Sequence, residues 1–364
     1  MKLTVTQVNL SKALGVVGRV ASSKTSLPIL HNILLRTENN RLLLAATNLE
    51  IAITEHIGAK VITEGSLTVP ARLMSEFIAQ LPKGNIELNV DGTKLHITAG
   101  SYSSTIHGVT AEEFPELPNI SDALTLKLDA TLLKRAISQT VLTASGDDTR
   151  PVLTGVLVHS FEGSLYFAAT DGYRLSERRL IECKDEINAI VPASTLSDVL
   201  RVTPEDCKEI EMLIDEAQIR FRMGEIEVTS RLIDGNFPDY RKLIPKETEI
   251  TFTVEKDEFN RITKIASLFS RESGGSVTVK TDSLKSLISI HSVASQLGEN
   301  TSEASSTVSG DGGVTLNSRY LIEALGCIDN PSVSFGFSGK LAPCVVKADA
   351  KVTDYQHIIM PLKS

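Results

Sequence analysis

Basic side chains are the residues whose types and spacing suggest a chemistry. Lys12 and Arg19 are seven residues apart, so they share one face of a predicted helix, and Lys264 and Arg271 do the same further along the chain. Rows of lysine and arginine bind phosphate groups without reading a base sequence. One such row is typical of an ordinary solvated helix, but its repetition on several helices favours a phosphate-binding surface.

The overall charge argues in the opposite direction. The 364 residues include 37 Lys and Arg against 45 Asp and Glu, which gives a net charge of −8. Basic and acidic residues number 10 and 10 in residues 1–120, 16 and 21 in residues 121–246, and 11 and 14 in residues 247–364. No part of the chain is basic overall, so a basic surface requires the cations and the acids to lie on different faces.

Enzymatic and metal-binding motifs are absent from the sequence. There is no GxxxxGK[ST], no GxGxxG after a strand, no HExxH, no GxSxG and no CxxC pair, and the seven histidines show no ligand spacing. We therefore expect no enzyme, no metal and no cofactor. An enzyme with an unrecognised site near Asp171 and Arg174 remains an alternative.

The rest of the composition indicates an ordinary globular protein of the cytoplasm. No apolar run is long enough to cross a bilayer, and the N-terminus has no secretory signal. The four cysteines are far apart, which predicts buried free thiols in a reducing compartment. Trp is absent and aromatic residues make up 5%, so the cores are expected to be aliphatic.

Short segments recur at one spacing, which indicates an internal repeat. Four pairs lie 122 or 123 residues apart in the same order: Pro28-Ile29-Leu30 and Pro151-Val152-Leu153, Ala45-Ala46-Thr47-Asn48 and Ala168-Ala169-Thr170-Asp171, Val69-Pro70-Ala71 and Val191-Pro192-Ala193, Phe114-Pro115 and Phe237-Pro238. Ser318-Arg319-Tyr320-Leu321 is a fainter third echo of Ala71-Arg72-Leu73-Met74. The repeats predict three domains, 1–120, 121–246 and 247–364.

Each repeat has the same predicted order of elements. It opens with an amphipathic helix whose apolar face carries, in turn, Leu10, Ala13, Leu14, Val17 and Val20, then Leu132, Leu133, Ala136, Ile137 and Val141, then Phe259, Ile262, Ala266 and Phe269. The predicted cap of the first helix is Asn9 or Ser11, and the other two stripes follow Asp129 and Asp257. Strands follow, then a second helix after Pro70, after Pro192 and near Asn317, then more strands. This is an α+β fold of two helices and antiparallel strands per domain.

Three segments carry a more specific signal. They are TDGYRL at residues 170–175, DGNFPDYR at 234–241 and MPL at 360–362. With the threefold repeat, they resemble the bacterial DNA sliding clamp, the β subunit of DNA polymerase III. The resemblance implies a homodimeric, head-to-tail ring around duplex DNA. Each chain would form half of the closed ring, with its helices inside and its strands outside.

The resemblance also implies the function and the partners. The protein would be a processivity factor in DNA replication that needs no cofactor, with ATP used by the clamp loader. It would tether the catalytic subunit of the polymerase, the clamp loader, and other polymerases and repair proteins through their short linear motifs. A repeat-built scaffold that binds peptides but not DNA is the alternative from another class.

The site residues follow from the helix faces and from the resemblance. The predicted DNA contacts are Lys12, Arg19, Lys24, Arg72, Lys134, Arg135, Arg150, Arg201, Arg261 and Lys264. The predicted peptide pocket comprises Leu153, Thr170, Gly172, Tyr173, Arg174, Leu175, Pro238, Lys242, Leu243, Ile358, Met360, Pro361 and Leu362, with Arg174 and Lys242 at its polar rim. The predicted dimer interface comprises Ile106, Leu268 and Phe269.

Overall fold

The computed structural model describes residues 1–21, 27–120, 123–296, 298–348 and 354–363. By contact density the chain separates into two compact units. The first consists of Met1–Leu133 and Asp198–Leu232, and the second of Lys134–Ser197 and Ile233–Ser364.

Six α-helices lie in the described residues, two in each predicted repeat. They are α1 (Gln7–Ala21), α2 (Ala71–Gln80), α3 (Ala130–Val141), α4 (Ala193–Val202), α5 (Lys256–Phe269) and α6 (Ser318–Gly326). The apolar stripe of α1 is buried, as predicted, with Leu10, Ala13 and Val17 fully excluded from solvent. The second helices begin where the prolines and Asn317 predict them.

Two antiparallel sheets form the first unit. One has the order β5-β1-β7-β8-β9, and the other has the order β10-β15-β16-β17-β4-β3-β2-β6. Their strands are β1 (Lys2–Thr6), β2 (Asn32–Glu38), β3 (Arg41–Thr47), β4 (Ile51–Gly58), β5 (Lys60–Thr63), β6 (Ser66–Pro70), β7 (Asn85–Asp91), β8 (Lys94–Ala99), β9 (Tyr102–His107), β10 (Leu124–Asp129), β15 (Glu209–Ile214), β16 (Gln218–Met223) and β17 (Ile226–Arg231).

The second unit is built on one sheet of twelve strands. The order is β14-β11-β12-β13-β25-β24-β23-β18-β21-β20-β19-β22. These strands are β11 (Gly155–Phe161), β12 (Ser164–Thr170), β13 (Arg174–Glu182), β14 (Asn188–Pro192), β18 (Ile250–Glu255), β19 (Ser276–Asp282), β20 (Leu287–Ala294), β21 (Gly298–Val308), β22 (Gly312–Asn317), β23 (Ser332–Phe337), β24 (Cys344–Lys347) and β25 (Tyr355–Ile359).

Strand pairing joins one repeat to the next. In the first unit β17 pairs with β4, with Ile226 opposite Glu55 and Ser230 opposite Ile51. In the second unit β25 pairs with β13 in the same way, with Ile359 opposite Arg174. Backbone hydrogen bonds therefore make the eight-stranded and the twelve-stranded sheets continuous across a repeat boundary.

The structure corrects two of the predicted helix starts. Helix α1 begins at Gln7, ahead of Asn9 and Ser11, and its cap is Thr6, whose hydroxyl accepts from the Asn9 N–H at 3.4 Å. Asp129 caps α3, since its carboxylate accepts from the Leu132 N–H at 2.8 Å. Helix α5 begins at Lys256, ahead of Asp257, and its cap is Glu255, whose carboxylate accepts from two backbone N–H groups of the first turn.

The cores and thiols also differ in part from expectation. The core of the third repeat is mostly aliphatic, as expected, but it also holds an aromatic cluster in which the rings of Phe252 and Phe335 stack at 5.0 Å and both meet Phe259. All four cysteines are free, but only Cys183 and Cys344 are buried, and the other two are half-buried. The serine-rich stretch 292–313 forms strand ends and β21, apart from Leu297, which lies outside the described residues.

Candidate functional site

The predicted DNA contacts lie on helices and are mostly exposed. Lys12 and Arg19 are on α1, Arg72 on α2, Lys134 and Arg135 on α3, Arg201 on α4, and Arg261 and Lys264 on α5. Lys134 is half-buried and the other seven are exposed. Lys24 lies outside the described residues. Every α-helix except α6 thus carries one or two of the predicted contacts.

Several of these cations have acidic neighbours. Arg72 pairs with Glu76 at 2.8 Å and Arg261 pairs with Glu258 at 2.7 Å, each one turn away on the same helix. Arg135 pairs with Asp329 at 2.9 Å. Exposed pairs of this kind contribute about 0.2–1 kcal/mol. A phosphate that approaches such an arginine therefore has little to displace.

Arg150 occupies a different place from the others. It precedes the short 3₁₀ turn Pro151–Thr154 and pairs loosely with Asp147 at 3.5 Å. A Cβ added at Gly172 would lie 3.6 Å from its Nη1 atom. This predicted DNA contact therefore lies beside a residue of the predicted peptide pocket.

The predicted peptide pocket is organised by a turn from Thr170 to Arg174. The Thr170 hydroxyl donates to the Arg174 carbonyl at 2.7 Å and accepts from the Gly172 N–H at 3.0 Å. The Asp171 carboxylate accepts from the N–H groups of Tyr173 and Arg174 at 2.8 and 3.0 Å. Gly172 has φ +91°, a left-handed value that favours glycine. The turn leaves the Tyr173 ring 62% exposed at the surface.

Arg174 is buried, which corrects its expected place at the rim. Its side chain is only 7% exposed and pairs with Asp171 at 3.0 Å and with Glu323. It also donates to the Leu142 carbonyl at 2.6 Å and lies 4.5 Å from the centre of the Tyr320 ring. Tyr320 and Glu323 are thus neighbours of the site that the sequence did not reveal, because their partner is about 150 residues away. Lys242 is highly exposed and pairs with Asp239 at 2.8 Å, as a rim residue should.

Glu177 on β13 binds two other segments of the second unit, residues 240–241 and strand β25. Its buried carboxylate accepts from the Tyr240 hydroxyl at 2.6 Å, pairs with Arg241 at 3.0 Å and accepts from Gln356 at 2.8 Å. The Arg241 guanidinium also lies 3.8 Å from the centre of the Phe161 ring. Burial, together with the neighbouring Glu177, raises the pKa of Tyr240 above its ordinary value, so the phenol stays protonated and donates.

The end of the chain is held in place. The Met360 N–H donates to the Tyr173 carbonyl and the Leu362 N–H donates to the Thr315 carbonyl, both at 2.8 Å. A small apolar cluster of the same unit contains, among others, Leu175, Val345 and Ile358. Met360, Pro361 and Leu362 are half-buried, whereas Pro238 and Leu243 are exposed. Of the predicted pocket residues, Leu175 and Ile358 thus lie in one apolar cluster, and Met360 is bonded to the backbone of Tyr173.

The predicted dimer residues differ in exposure. Ile106 is buried within the first unit, on the edge strand β9 of the five-stranded sheet. Leu268 is 54% exposed near the end of α5, and Phe269 is half-buried. Leu268 is therefore the one side chain of the three that is open to a partner, while Ile106 offers the edge of its strand.

Comparisons with known proteins agree along the whole chain. Models of the DNA polymerase III beta subunit match it in three segments: the N-terminal domain at residues 1–118, the central domain at 127–239 and the C-terminal domain at 241–363. The beta sliding clamp of Staphylococcus epidermidis is 31% identical in an alignment of 362 positions that covers 95% of each chain. The chain belongs to the DNA polymerase III beta subunit family.

Solved structures of bacterial sliding clamps have the same fold. The clamp of Bacillus subtilis matches with a TM-score of 0.96 at 25% identity, covering 100% of this chain and 99% of that one. The beta subunit of Pseudomonas aeruginosa matches with a TM-score of 0.94 at 27% identity over the full length of both chains. The DNA clamp fold, with its mixed helices and antiparallel sheets in three domains, is therefore confirmed.

Proposed function

We propose that this protein is a DNA sliding clamp that encircles duplex DNA and tethers the replicative polymerase for processive synthesis. The observation that carries the proposal is the recurrence of exposed lysine and arginine on the helices of all three repeats of a DNA polymerase III beta subunit. Long cationic side chains hold phosphates without reading bases, so the DNA is retained but free to move. The acidic strands and loops would oppose attachment elsewhere.

The ring would be a head-to-tail homodimer closed by strand pairing. Strand β9 is an edge strand, and β21 pairs with β20 at residues 298–305 and with β18 only at residues 306–308. Among the described residues, the second edge of residues 298–305 has no strand partner. This open edge of β21 in one protomer would pair with the edge strand β9 of the other, as β17 pairs with β4 inside the chain. Leu268 would supply apolar contact at the same interface.

The pocket around Tyr173, Leu243 and Met360 would receive short linear motifs of the polymerase, the clamp loader and repair proteins. Its buried leucine and isoleucine floor and its flexible methionine suit varied apolar side chains. A sliding clamp of Pseudomonas aeruginosa has been solved with griselimycin bound, so a relative accepts a ligand. Lys242 at the rim would then select the charge of the motif.

We further propose that the protein is not an enzyme and works in the cytoplasm. Asp171 and Arg174, the alternative catalytic pair, are bound to each other and to the backbone of their own turn, which suits a structural role. None of the helices in the described ranges has the length and apolar character needed to cross a membrane.

The test is retention on circular DNA. A variant with Arg19→Glu, Lys134→Glu and Lys264→Glu should be lost from nicked circular DNA after loading, while an anisotropy assay shows unchanged binding of a polymerase-derived peptide. The matched control has Lys60→Glu, Lys94→Glu and Lys340→Glu, which change the charge equally at exposed positions outside the α-helices. Retention by the helix variant, or equal loss from the control, would overturn the proposal. Linearising the DNA should release the wild-type protein.

A further inference from the structure

A second groove lies in the first unit, at a position that the repeat relates to the predicted peptide pocket. Its volume is about 410 Å³. It is lined by Thr47, Leu49, Glu50, Ile51, Glu116 and Arg231, among others. All of its lining residues belong to the first unit. None of them is among the predicted contacts for DNA, peptide or dimer.

The backbone frame of this groove repeats that of the pocket, bond for bond. The Thr47 hydroxyl donates to the Ile51 carbonyl at 2.9 Å and accepts from the Leu49 N–H at 3.0 Å. The Asn48 side chain accepts from the N–H groups of Glu50 and Ile51 at 3.0 and 2.9 Å. These are the bonds that Thr170 and Asp171 make 123 residues later.

The strand that follows is also equivalent. The Arg231 N–H donates to the Glu50 carbonyl at 2.9 Å, just as the Met360 N–H donates to the Tyr173 carbonyl. Arg231 therefore occupies the place of Met360. Thr229 likewise occupies the place of Ile358 in the strand pairing. The two grooves share a frame and differ in their side chains.

Leu49 is held in a conformation that its side chain disfavours. Its φ is +78°, at the position where the other groove has Gly172, and the other described non-glycine residues with positive φ are polar. A left-handed backbone is costly for a residue with a Cβ, and such strain concentrates at ligand sites. The Leu49 side chain is nevertheless 48% exposed, so it gains little from packing within the protein. It projects an apolar contact at the groove.

The charges around Leu49 indicate the ligand. Glu50 and Glu116 are exposed, and within the described part of the chain neither carboxylate makes an ion pair with another side chain. Arg231 adds one positive charge, so the groove keeps a net negative charge. A groove lined by an apolar side chain and two carboxylates complements a leucine flanked by lysine or arginine.

We propose that this groove binds a short extended peptide segment in which basic residues flank one apolar residue. Leu49 and Ile51 would contact the apolar side chain, while Glu50 and Glu116 would meet the basic ones. The choice of a peptide as the ligand rests on the proposed function of the equivalent pocket. The two grooves would then accept different motifs, one apolar and one basic.

The probe is a fluorescein-labelled hexapeptide with two lysines around one leucine, measured by fluorescence anisotropy with the full-length protein. We expect saturable binding, and at least fivefold weaker binding of the twin peptide with glutamates in place of lysines. Glu50→Lys with Glu116→Lys should weaken binding of the lysine peptide by about tenfold, at roughly two- to fivefold for each exposed charge pair.

The variant Leu49→Gly distinguishes a loss of peptide binding from a loss of protein stability. Glycine accepts φ +78° without strain, so this variant should melt at the same or a higher temperature and yet bind the lysine peptide at least threefold more weakly. Truncation after Ile359 removes part of the other pocket and should leave binding of the lysine peptide unchanged.

Three results would overturn the proposal: no saturable binding at 1 mM peptide (about the weakest useful affinity), equal affinity for the two twin peptides, or loss of binding only on truncation. The assay contains no DNA and no polymerase. A negative result here therefore leaves the clamp proposal intact, and loss of the clamp proposal would appear in the retention assay alone.

Discussion

Replacing Glu55 with glutamine should stabilise the protein at neutral and alkaline pH, and the gain should disappear in acid. Glu55 lies on β4 and is 7% exposed, and its Oε2 atom has no hydrogen-bond partner among the residues that the structure describes. Burial raises the pKa of Glu55 from 4.5 to about 7, while the positive charge of Lys12 opposes that rise. Glutamine keeps the size of the side chain and cannot ionise.

The size of the effect follows from proton linkage. An acid whose pKa is higher in the folded state holds its proton there after the unfolded chain has released it, so stability falls as pH rises from about 4.5 to about 7. Within this window, each rise of one pH unit lowers the free energy of unfolding by about 1.4 kcal/mol. Above pH 7 the ionised Glu55 therefore lowers the free energy of unfolding by about 3 kcal/mol, and Glu55→Gln should recover most of it.

Urea denaturation followed by circular dichroism, at fixed protein concentration between pH 4 and pH 8.5, measures this difference. The matched control is Glu87→Gln, which neutralises an exposed carboxylate on β7 of the same unit. Lys12→Ala should increase the alkaline penalty, because the opposing charge is lost. The reasoning is refuted if Glu55→Gln is no more stable than wild type at pH 8, or if its advantage persists at pH 4.

Three further predictions concern single side chains. Burial raises the pKa of Cys327 to about 11 and that of Cys344 to about 12. At pH 8 a thiol reagent, followed by mass spectrometry, should therefore label both at least about 100-fold more slowly than free cysteine. Labelling at the rate of free cysteine would contradict this. Asp129→Ala should cost about 1 kcal/mol in urea denaturation, because α3 loses its cap, and an unchanged midpoint would count against the cap. Tyr240→Phe should cost about 1.5–3 kcal/mol, because the hydroxyl donates to the buried Glu177; a neutral result would show that the bond contributes nothing.

The sequence predicted the helices well because their signal is local. The apolar stripe of α1 and the proline before α2 need no distant partner to be recognised. The start of α1 was placed too late because Thr6, Asn9 and Ser11 are all residue types that cap helices, and the local sequence does not choose among them. The bonds of Gln7 to the carbonyls of Ile78 and Gly84, more than 70 residues away, add tertiary support at this end that the sequence does not show.

Much of the candidate site was visible in the sequence, but its electrostatics were not. The motif at residues 170–175 identified the turn and its resemblance, yet Arg174 was expected at a rim. Its burial depends on Glu323, Tyr320 and the Leu142 carbonyl, which no local pattern connects. The role of Glu177 could not be predicted either, because its carboxylate binds Tyr240, Arg241 and Gln356, which are distant in the sequence.

The pairing of β17 with β4 has a consequence for how such a chain can diverge. The junction between these repeats is a set of hydrogen bonds between backbone N–H and C=O groups. Every residue has both groups except proline, which has no N–H. Substitutions along these strands can accumulate without breaking the junction, provided that the alternation of inward and outward side chains survives. A chain that keeps a quarter of the residues of the Bacillus subtilis clamp still superposes on it at a TM-score of 0.96. The junction between repeats thus depends on backbone hydrogen bonds. Its side chains are therefore free to change, and new ones can bind new partners.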